Sequence, residues 1–366
     1  STVGAMGGMD NTSLSLLNIN NVQVDSTAAA LAIKSQELIF NNSSGIGSST
    51  ARLPVDVKNL SIIDNRGDIY LHEANDLRLT QLSGDGQVVD IKLDGALTAN
   101  SQALTTSSRL VIDSNDGQNG HIDLSNPANK LSGTLHLSAS GDIVLANSVI
   151  TTLGNVAANN LTLSTSASIN NSRTGEWRID NSTSFNAAGH NVNLRGGQTD
   201  LNRLKVIDVK DFTLANNRGD LTINELSQSA NVNITSTGTI VLNNPIKLTN
   251  IRIHATAGSV AIADSLSATD AIIIQADGDL IQQLDADITA PKIDLTAKDL
   301  SLAGLITAMQ LRATATQAIF MEAGASMRQS PDHASASSAP RAFLQTLNGA
   351  MNLADIDFAA GRVELK

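Results

Sequence analysis

One stretch of the chain occurs twice. The residues VKNLSIIDNRGDI at 57–69 return as VKDFTLANNRGDL at 209–221, with valine, lysine, asparagine, arginine, glycine and aspartate in the same places. Each copy reads as an alternating strand, a polar Asn-Arg-Gly-Asp corner and the start of a second strand. Because the copies lie about 150 residues apart, beyond the 20–50 residues of one repeat, they predict corresponding coils in two larger blocks.

The same rhythm of short strands and polar corners runs through the rest of the chain. Apolar and polar residues alternate, as in Leu31–Phe40 and Asp142–Leu145, and asparagine pairs such as Asn41-Asn42 and Asn216-Asn217 mark the corners. Asparagine tolerates left-handed backbone and can stack along a pile of strands. A β-sandwich and a parallel β-helix both produce this pattern. The sequence contains no interruption long enough to be a domain linker, and the same stretch is duplicated at a distance. Both observations favour a parallel β-helix, with about 15 turns of about 20–25 residues.

Composition agrees with a narrow aliphatic core. Aromatic residues make up 2% of the chain against 41% hydrophobic residues overall, and a large spherical core normally needs more aromatic area. The net charge is −11 without a basic cluster, which excludes nucleic acid as an expected partner. The chain has no cysteine, so disulfides, thiolate metal sites and a cysteine nucleophile are excluded. No apolar run approaches the about 20 residues of a membrane span.

The pattern predicts one continuous β-helix over residues 11–366, since residues 1–10 read as a cloning remnant before a fragment. Within it we expect two related blocks, at about 14–165 and 166–320, and a loop-bearing C-terminal segment at 321–366. The Ser-, Ala- and Pro-rich stretch 329–341 predicts a projecting loop. Residues 342–353 show weak helical spacing, which predicts a short helix or an irregular segment near 329–353.

Several motifs resemble the repeat region of filamentous-haemagglutinin-like adhesins, the large bacterial exoproteins of two-partner secretion systems. The residues that carry the resemblance are Ser44-Gly45-Ile46-Gly47, Val57-Lys58-Asn59-Leu60, Gly67–Glu73, Asp76-Leu77-Arg78-Leu79, Ile122–Asn126 and Leu131–Leu137. The resemblance covers most of 14–320, although each repeat is degenerate. It implies a right-handed parallel β-helix that is exported unfolded through an outer-membrane partner. The family's Asn-Pro-Asn-Gly secretion motif is not found, so the chain resembles the shaft.

The two corners of the duplicated stretch spell the tripeptide that integrins recognise. Arg66-Gly67-Asp68 and Arg218-Gly219-Asp220 are therefore candidate attachment sites on host cells. The alternative is that Gly-Asp is the ordinary corner of this scaffold. Gly141-Asp142 and Gly278-Asp279 have the same corner without the arginine.

Two aromatic residues are candidates for stacking on a sugar ring. Trp177 is the only tryptophan of the chain and Tyr70 the only tyrosine. On the outer surface of a β-helix either side chain could bind a saccharide. The alternative for Trp177 is that it fills the core or caps a turn.

The sequence predicts no catalytic residue, no metal and no cofactor. Asp113–Gly120 imitates a calcium loop, but its glycine falls one position early and no glutamate follows at the twelfth position. The histidines lack metal-ligand spacing. Carboxylates could act together only if they converge on one face of neighbouring turns, and the sequence does not place the cluster Asp208, Asp211 and Asp220 or the pair Asp285 and Asp287 on such a face.

These observations predict the shaft of a secreted or cell-surface bacterial adhesin that mediates attachment or biofilm-matrix cohesion, is mainly structural and is not an enzyme. The expected partners are an exopolysaccharide or a host-cell receptor, and the outer-membrane secretion partner of the full-length protein. Two alternatives stay open. One is a β-helix polysaccharide lyase or hydrolase, and the other is the stick of a contact-dependent toxin-delivery exoprotein.

Overall fold

The fold is a right-handed parallel β-solenoid of about 15 turns. The computed structural model describes residues 12–22, 32–115, 120–329, 341–358 and 362–366, and these residues form strands, bends and turns without any helix. Every strand pairing given for them is parallel, which confirms the all-β parallel β-helix that the sequence predicts. The chain divides into two compact units, Ser1–Asn181 and Ser182–Lys366.

The first unit contains the strands up to the start of β18. These strands are β1 (Ser13–Leu17), β2 (Asn20–Val22), β3 (Ile33–Asn41), β4 (Ser44–Ile46), β5 (Leu53–Asn65), β6 (Ile69–Glu73), β7 (Leu77–Gly84), β8 (Val88–Leu93), β9 (Leu97–Thr98), β10 (Thr105–Thr106), β11 (Arg109–Ser114), β12 (Ile122–Leu124), β13 (Lys130–Leu131), β14 (Thr134–Ala139), β15 (Ile143–Asn147), β16 (Thr151–Thr165), β17 (Ile169–Asn171) and β18 (Glu176–Leu194).

The second unit begins within β18. Its further strands are β19 (Gln198–Asn216), β20 (Leu221–Ser227), β21 (Asn231–Ser236), β22 (Ile240–Leu242), β23 (Ile246–Ala255), β24 (Val260–Ile262), β25 (Leu266–Ala276), β26 (Leu280–Gln282), β27 (Ile288–Leu302), β28 (Leu305–Met321), β29 (Ser326–Gln329), β30 (Arg341–Thr346), β31 (Met351–Asn352), β32 (Asp355–Asp357) and β33 (Arg362–Leu365).

The core consists of aliphatic columns, in which a residue of one turn lies over its partner in the next. Leu38 pairs with Leu60, and Leu60 pairs with Leu79. All three side chains are buried, and each contributes about 1.5–3 kcal/mol relative to an exposed position. Most of these columns are aliphatic, and the few buried aromatic side chains include Phe40, Phe185 and Phe212.

Asparagine and aspartate allow the chain to turn sharply at one column of corners in the first unit. Asn18, Asn42 and Asp64 have φ angles of 53°, 51° and 51°, in the left-handed region that these residue types tolerate best. The side-chain amide of Asn42 donates to Oδ1 of Asn18 on the preceding turn. The asparagine pair at 41–42 therefore marks a corner, as the sequence predicts.

Other corners are closed from inside by a buried amide. Asn147 accepts a hydrogen bond from the backbone N–H of Leu131 (2.9 Å) and donates to its carbonyl oxygen (3.0 Å). In the second unit, Asn216 makes the same pair of bonds with Leu201, at 2.9 and 3.3 Å. A buried backbone group without a partner is costly, so these amides stabilise the points where the ladder bends.

Of the two alternatives that the sequence offered for residues 342–353, a short helix or an irregular segment, the helix is wrong. Residues 341–346 and 351–352 are strands, and Ala342 and Leu344 pair with Leu311 and Ala313 of β28. The apolar residues of β30 alternate between buried and more exposed positions, as a strand requires. The edge of β28 provides hydrogen-bond partners for the backbone groups of β30, so these residues form a strand instead of a helix. The loop predicted at 329–341 falls mostly on residues outside the described ranges, as do residues 1–11. None of the described residues belongs to a helix that could cross a membrane.

Candidate functional site

The first Arg-Gly-Asp corner packs closely against neighbouring turns. A Cβ atom added at Gly67 would lie 2.7 Å from the Cβ of Ser44 on the preceding turn. Oδ1 of Asp68 accepts a hydrogen bond from the backbone N–H of Val88 on the next turn (3.2 Å). Arg66 is exposed. The aspartate carboxylate therefore holds two turns together while the arginine faces solvent.

The second Arg-Gly-Asp corner is more open, but its side chains are also engaged. Gly219 has a φ of 108° and no heavy atom within 4 Å of an added Cβ. Oδ1 of Asp220 accepts from the backbone N–H of Thr239 (2.7 Å), and Arg218 donates to Oε1 of Gln198 (2.5 Å). Both corners thus use the aspartate to cap the following turn. Integrin recognition by either corner stays a prediction.

Trp177 lies in the core and not on the surface. Its side chain is 2% exposed, and its indole N–H donates to the backbone carbonyl of Gly154 (2.9 Å). A sugar ring cannot stack on an indole that presents no face to solvent. Trp177 therefore fills the core, which is the second of the two alternatives that the sequence allowed for it.

Tyr70 lies on an outer face of the first unit, among polar side chains from four successive turns. Register places Tyr70 beside Asp90, Asp90 beside Val111, and Val111 beside His136. We call this surface the charged face and define it by the outward residues Asp68, Tyr70, His72, Asp90, Lys92, Arg109, Asp113 and His136, together with Arg52, which reaches over it. It brings together two residues that the sequence singled out separately, Asp68 and Tyr70.

A bidentate ion pair forms the centre of the charged face. The guanidinium of Arg52 donates to both carboxylate oxygens of Asp90, at 2.7 and 2.9 Å. The same guanidinium lies 5.9 Å from the centre of the Tyr70 ring, within the range of a cation–π contact. Burial, followed by the charges of Asp68 and Asp90, raises the pKa of Tyr70, so its hydroxyl stays protonated and can donate.

His136 offers a second neutral donor on this face. Its Nδ1 accepts a hydrogen bond from the backbone N–H of Asn155 (3.1 Å), which places the ring proton on Nε2. Burial, with a smaller contribution from Arg109, lowers the pKa of His136. Arg109 itself is exposed and forms no ion pair with the described residues.

A polar groove with a volume of about 730 Å³ adjoins the charged face. We define the polar groove by Lys34, Asp56, Lys58, Asn75, Asp76 and Asp94, which come from β3, β5 and the corners that follow β6 and β8. Asp94 binds His72 of the charged face (2.9 Å), so the two surfaces share a border.

The polar side chains of the groove hold one another in place. Asp56 receives Lys34 on one oxygen (3.1 Å) and the side-chain amide of Asn75 on the other (3.0 Å). Oδ1 of Asp76 accepts from the backbone N–H of Ala96 (2.8 Å). Each carboxylate keeps unused lone pairs, since an ionised carboxylate has about four acceptor sites.

Behind the groove lies a buried acid that sequence reasoning missed. Glu73 is fully buried and stands in a core column between Val55 and Leu93. Its two carboxyl oxygens accept from the backbone N–H groups of Val57 (2.9 Å) and Asn75 (3.1 Å), two residues of the groove wall. Burial raises the pKa of Glu73 to about 8. The available signal was an acidic residue at an inward position of the alternating strand Ile69–Glu73.

The carboxylates that the sequence grouped lie at corners and in ladders. Asp208 and Asp285 have φ angles of 51° and 67°. Asp211 accepts from the side-chain amide of Asn231 (2.6 Å), and Asp287 accepts from the backbone N–H of Leu305 (3.3 Å). Within the described residues no group of three or more His, Asp or Glu could hold a metal ion. Residues 116–119 of the calcium-like stretch lie outside the described ranges.

The charged face and the polar groove can therefore bind hydroxyl-rich or charged groups through fixed donors and acceptors. Comparisons with protein families, with curated proteins and with solved structures find no match to this chain.

Proposed function

We propose that the chain is a shaft segment of a secreted or cell-surface bacterial adhesin, of the filamentous-haemagglutinin-like type that its motifs resemble. One observation carries the proposal: each unit is a stack of parallel turns whose inner columns are aliphatic and whose corners are closed by buried asparagine amides. Each turn of such a stack is stabilised by its immediate neighbours only, so the stack can be lengthened by adding turns. This property suits a spacer.

The manner of stabilisation suits export in the unfolded state. Contacts between adjacent turns allow folding to begin at one place and spread turn by turn after the chain has left the cell. The chain contains no cysteine, so no disulfide can cross-link it in transit. These features support an outer-membrane secretion partner for the full-length protein, and an exopolysaccharide or a host-cell receptor as the partner after export.

Antibodies raised against the purified chain test the proposed location. On intact cells of the organism that makes the protein, they should label the surface or the surrounding matrix without permeabilisation. An antibody against an abundant cytoplasmic enzyme is the control and should label permeabilised cells only. Labelling by both antibodies only after permeabilisation contradicts the proposal.

A polysaccharide lyase or hydrolase is the second candidate, because the charged face places titratable groups on one side of neighbouring turns. Arg52, Asp90, Tyr70, Arg109 and His136 supply cationic, acidic and neutral donor groups there. However, both oxygens of Asp90 bind Arg52, and the Nδ1 lone pair of His136 is already used.

Incubation of the purified chain with a panel of bacterial and host polysaccharides tests the enzyme candidate. We expect no increase in reducing ends over a heat-denatured sample. Release of fragments that is lost in the Arg109→Ala variant would instead establish the enzyme.

A further inference from the structure

We propose that the polar groove of the first unit is a binding site for a neutral, linear oligosaccharide. The inference rests on the proposed function and names the ligand class and the place where an adhesin of this kind would bind it.

The shape of the groove fits a linear polymer. Successive turns each contribute to its wall, from Lys34 on β3, through Asp56 on β5, to Asn75 and Asp94 at the following corners. The groove therefore runs across the strands and meets a new turn about every 4.8 Å. Its volume of about 730 Å³ lies within the range of ligand sites, about 300–1,000 Å³.

The acceptors of the groove are already oriented before a ligand binds. Asp56 is held by Lys34 and Asn75, Asp76 by a backbone N–H, and Asp94 by His72. A held carboxylate loses little side-chain freedom on binding, so its remaining lone pairs are available to hydroxyl groups at low entropic cost.

The donors and the charge balance favour a neutral ligand. Lys58 is exposed and forms no ion pair with the described residues, so its ammonium can donate to hydroxyl or ring oxygens. Three aspartates against two lysines, on a chain with net charge −11, disfavour a polyanion. Sugar hydroxyls both donate and accept, and therefore match a wall on which carboxylates, an amide and ammonium groups alternate.

Small residues line the back of the groove, and a buried acid lies behind them. Ala74 and Gly95 leave room between the polar side chains, and the buried Glu73 ties the backbone of Val57 to that of Asn75. Glu73 is a positioning residue, because it touches the groove wall and is itself fully buried.

A glycan array followed by calorimetric titration of the purified chain tests the inference, with neutral, uronate-containing and sulfated saccharides as separate sets. We expect saturable binding of neutral saccharides. Asp94→Asn should weaken that binding at least about tenfold, which is the loss of about 1.4 kcal/mol for a hydrogen bond to a charged group. Ala74→Trp, which fills the groove from an exposed position, should abolish it.

Two outward-facing positions of the second unit provide matched controls. Glu225→Gln repeats the carboxylate-to-amide change of Asp94→Asn outside the groove, and Lys247→Trp places a tryptophan at an exposed position outside the groove as Ala74→Trp does inside it; both should bind as the wild type does. Circular dichroism checks that every variant keeps its strand content. Binding of acidic saccharides only, binding that survives Ala74→Trp, or no saccharide binding would each overturn the inference. Surface labelling of intact cells in the absence of saccharide binding overturns the groove assignment and leaves the adhesin proposal standing.

Discussion

Glu73 makes the stability of the first unit depend on pH in an unusual direction. Its pKa rises from 4.5 to about 8 on folding, so between these values the folded chain binds a proton that the unfolded chain has lost. The stabilising contribution is fully present below pH 4.5 and is lost as the pH rises through about 8. At about 1.4 kcal/mol for each pKa unit, the loss is on the order of 4–5 kcal/mol at most.

The Glu73→Gln variant removes this titration and keeps the size of the side chain. Its amide oxygen can accept one of the two N–H groups that Glu73 binds, which leaves one buried N–H unpaired at a cost of about 1–3 kcal/mol. We therefore expect the variant to be less stable than the wild type at pH 5. The difference should shrink or change sign at pH 9, because only the wild type loses stability between the two values.

Urea unfolding followed by tryptophan fluorescence measures this effect, because Trp177, the only tryptophan, belongs to the same unit as Glu73. Glu225→Gln, in the second unit, is the control, and it should leave the unfolding transition that Trp177 reports unchanged at both pH values. The hydrogen bond from Lys205, followed by the one from Ser227, lowers the pKa of Glu225, which is the opposite direction to the change at Glu73. A stability difference between the wild type and the Glu73→Gln variant that stays constant from pH 5 to pH 9 would refute the reasoning about Glu73.

Three further predictions concern particular side chains. Asn147→Ala should destabilise the first unit by about 2–4 kcal/mol in urea unfolding, because it leaves the buried backbone groups of Leu131 without partners; an effect below about 0.5 kcal/mol would contradict the corner-closing role. Trp177 should be quenched weakly by acrylamide, and its emission should not respond to any bound saccharide, because its indole is buried; strong quenching would show that the ring faces solvent. Asp220→Glu should leave the attachment of integrin-bearing cells to immobilised protein unchanged, since the carboxylate caps Thr239; reduced attachment, with strand content unaltered, would support integrin recognition by this corner.

Alternation and corner chemistry are local properties, and they explain why the fold class could be predicted from sequence. The period of two in segments such as Leu31–Phe40 decides which side chains face inward, whatever lies next to them. Asparagine at a left-handed corner, as at Asn42, likewise depends on its own backbone. The absence of cysteine and the scarcity of aromatic residues restricted the core and the chemistry further.

The candidate site depends on register, which the sequence does not reveal. Tyr70 and His136 share a face only because each corner between them has a particular length, and bulges such as the register shift between Leu60 and Ser61 change the count from turn to turn. One residue of slip moves a side chain from the surface to the core.

Tertiary contacts also decided the burial and the secondary structure of individual residues. Trp177 is buried because it finds a carbonyl partner inside the solenoid, and residues 341–346 are a strand because β28 presents an edge to them. Glu73 stays in an aliphatic column because two backbone N–H groups meet it there. The sequence by itself determined the alternation of short strands and polar corners, since periodicity is carried by each strand alone, and the distant duplication favoured parallel turns over a β-sandwich. Only the tertiary structure decided which polar side chains meet, because that depends on the stacking of residues far apart in the chain.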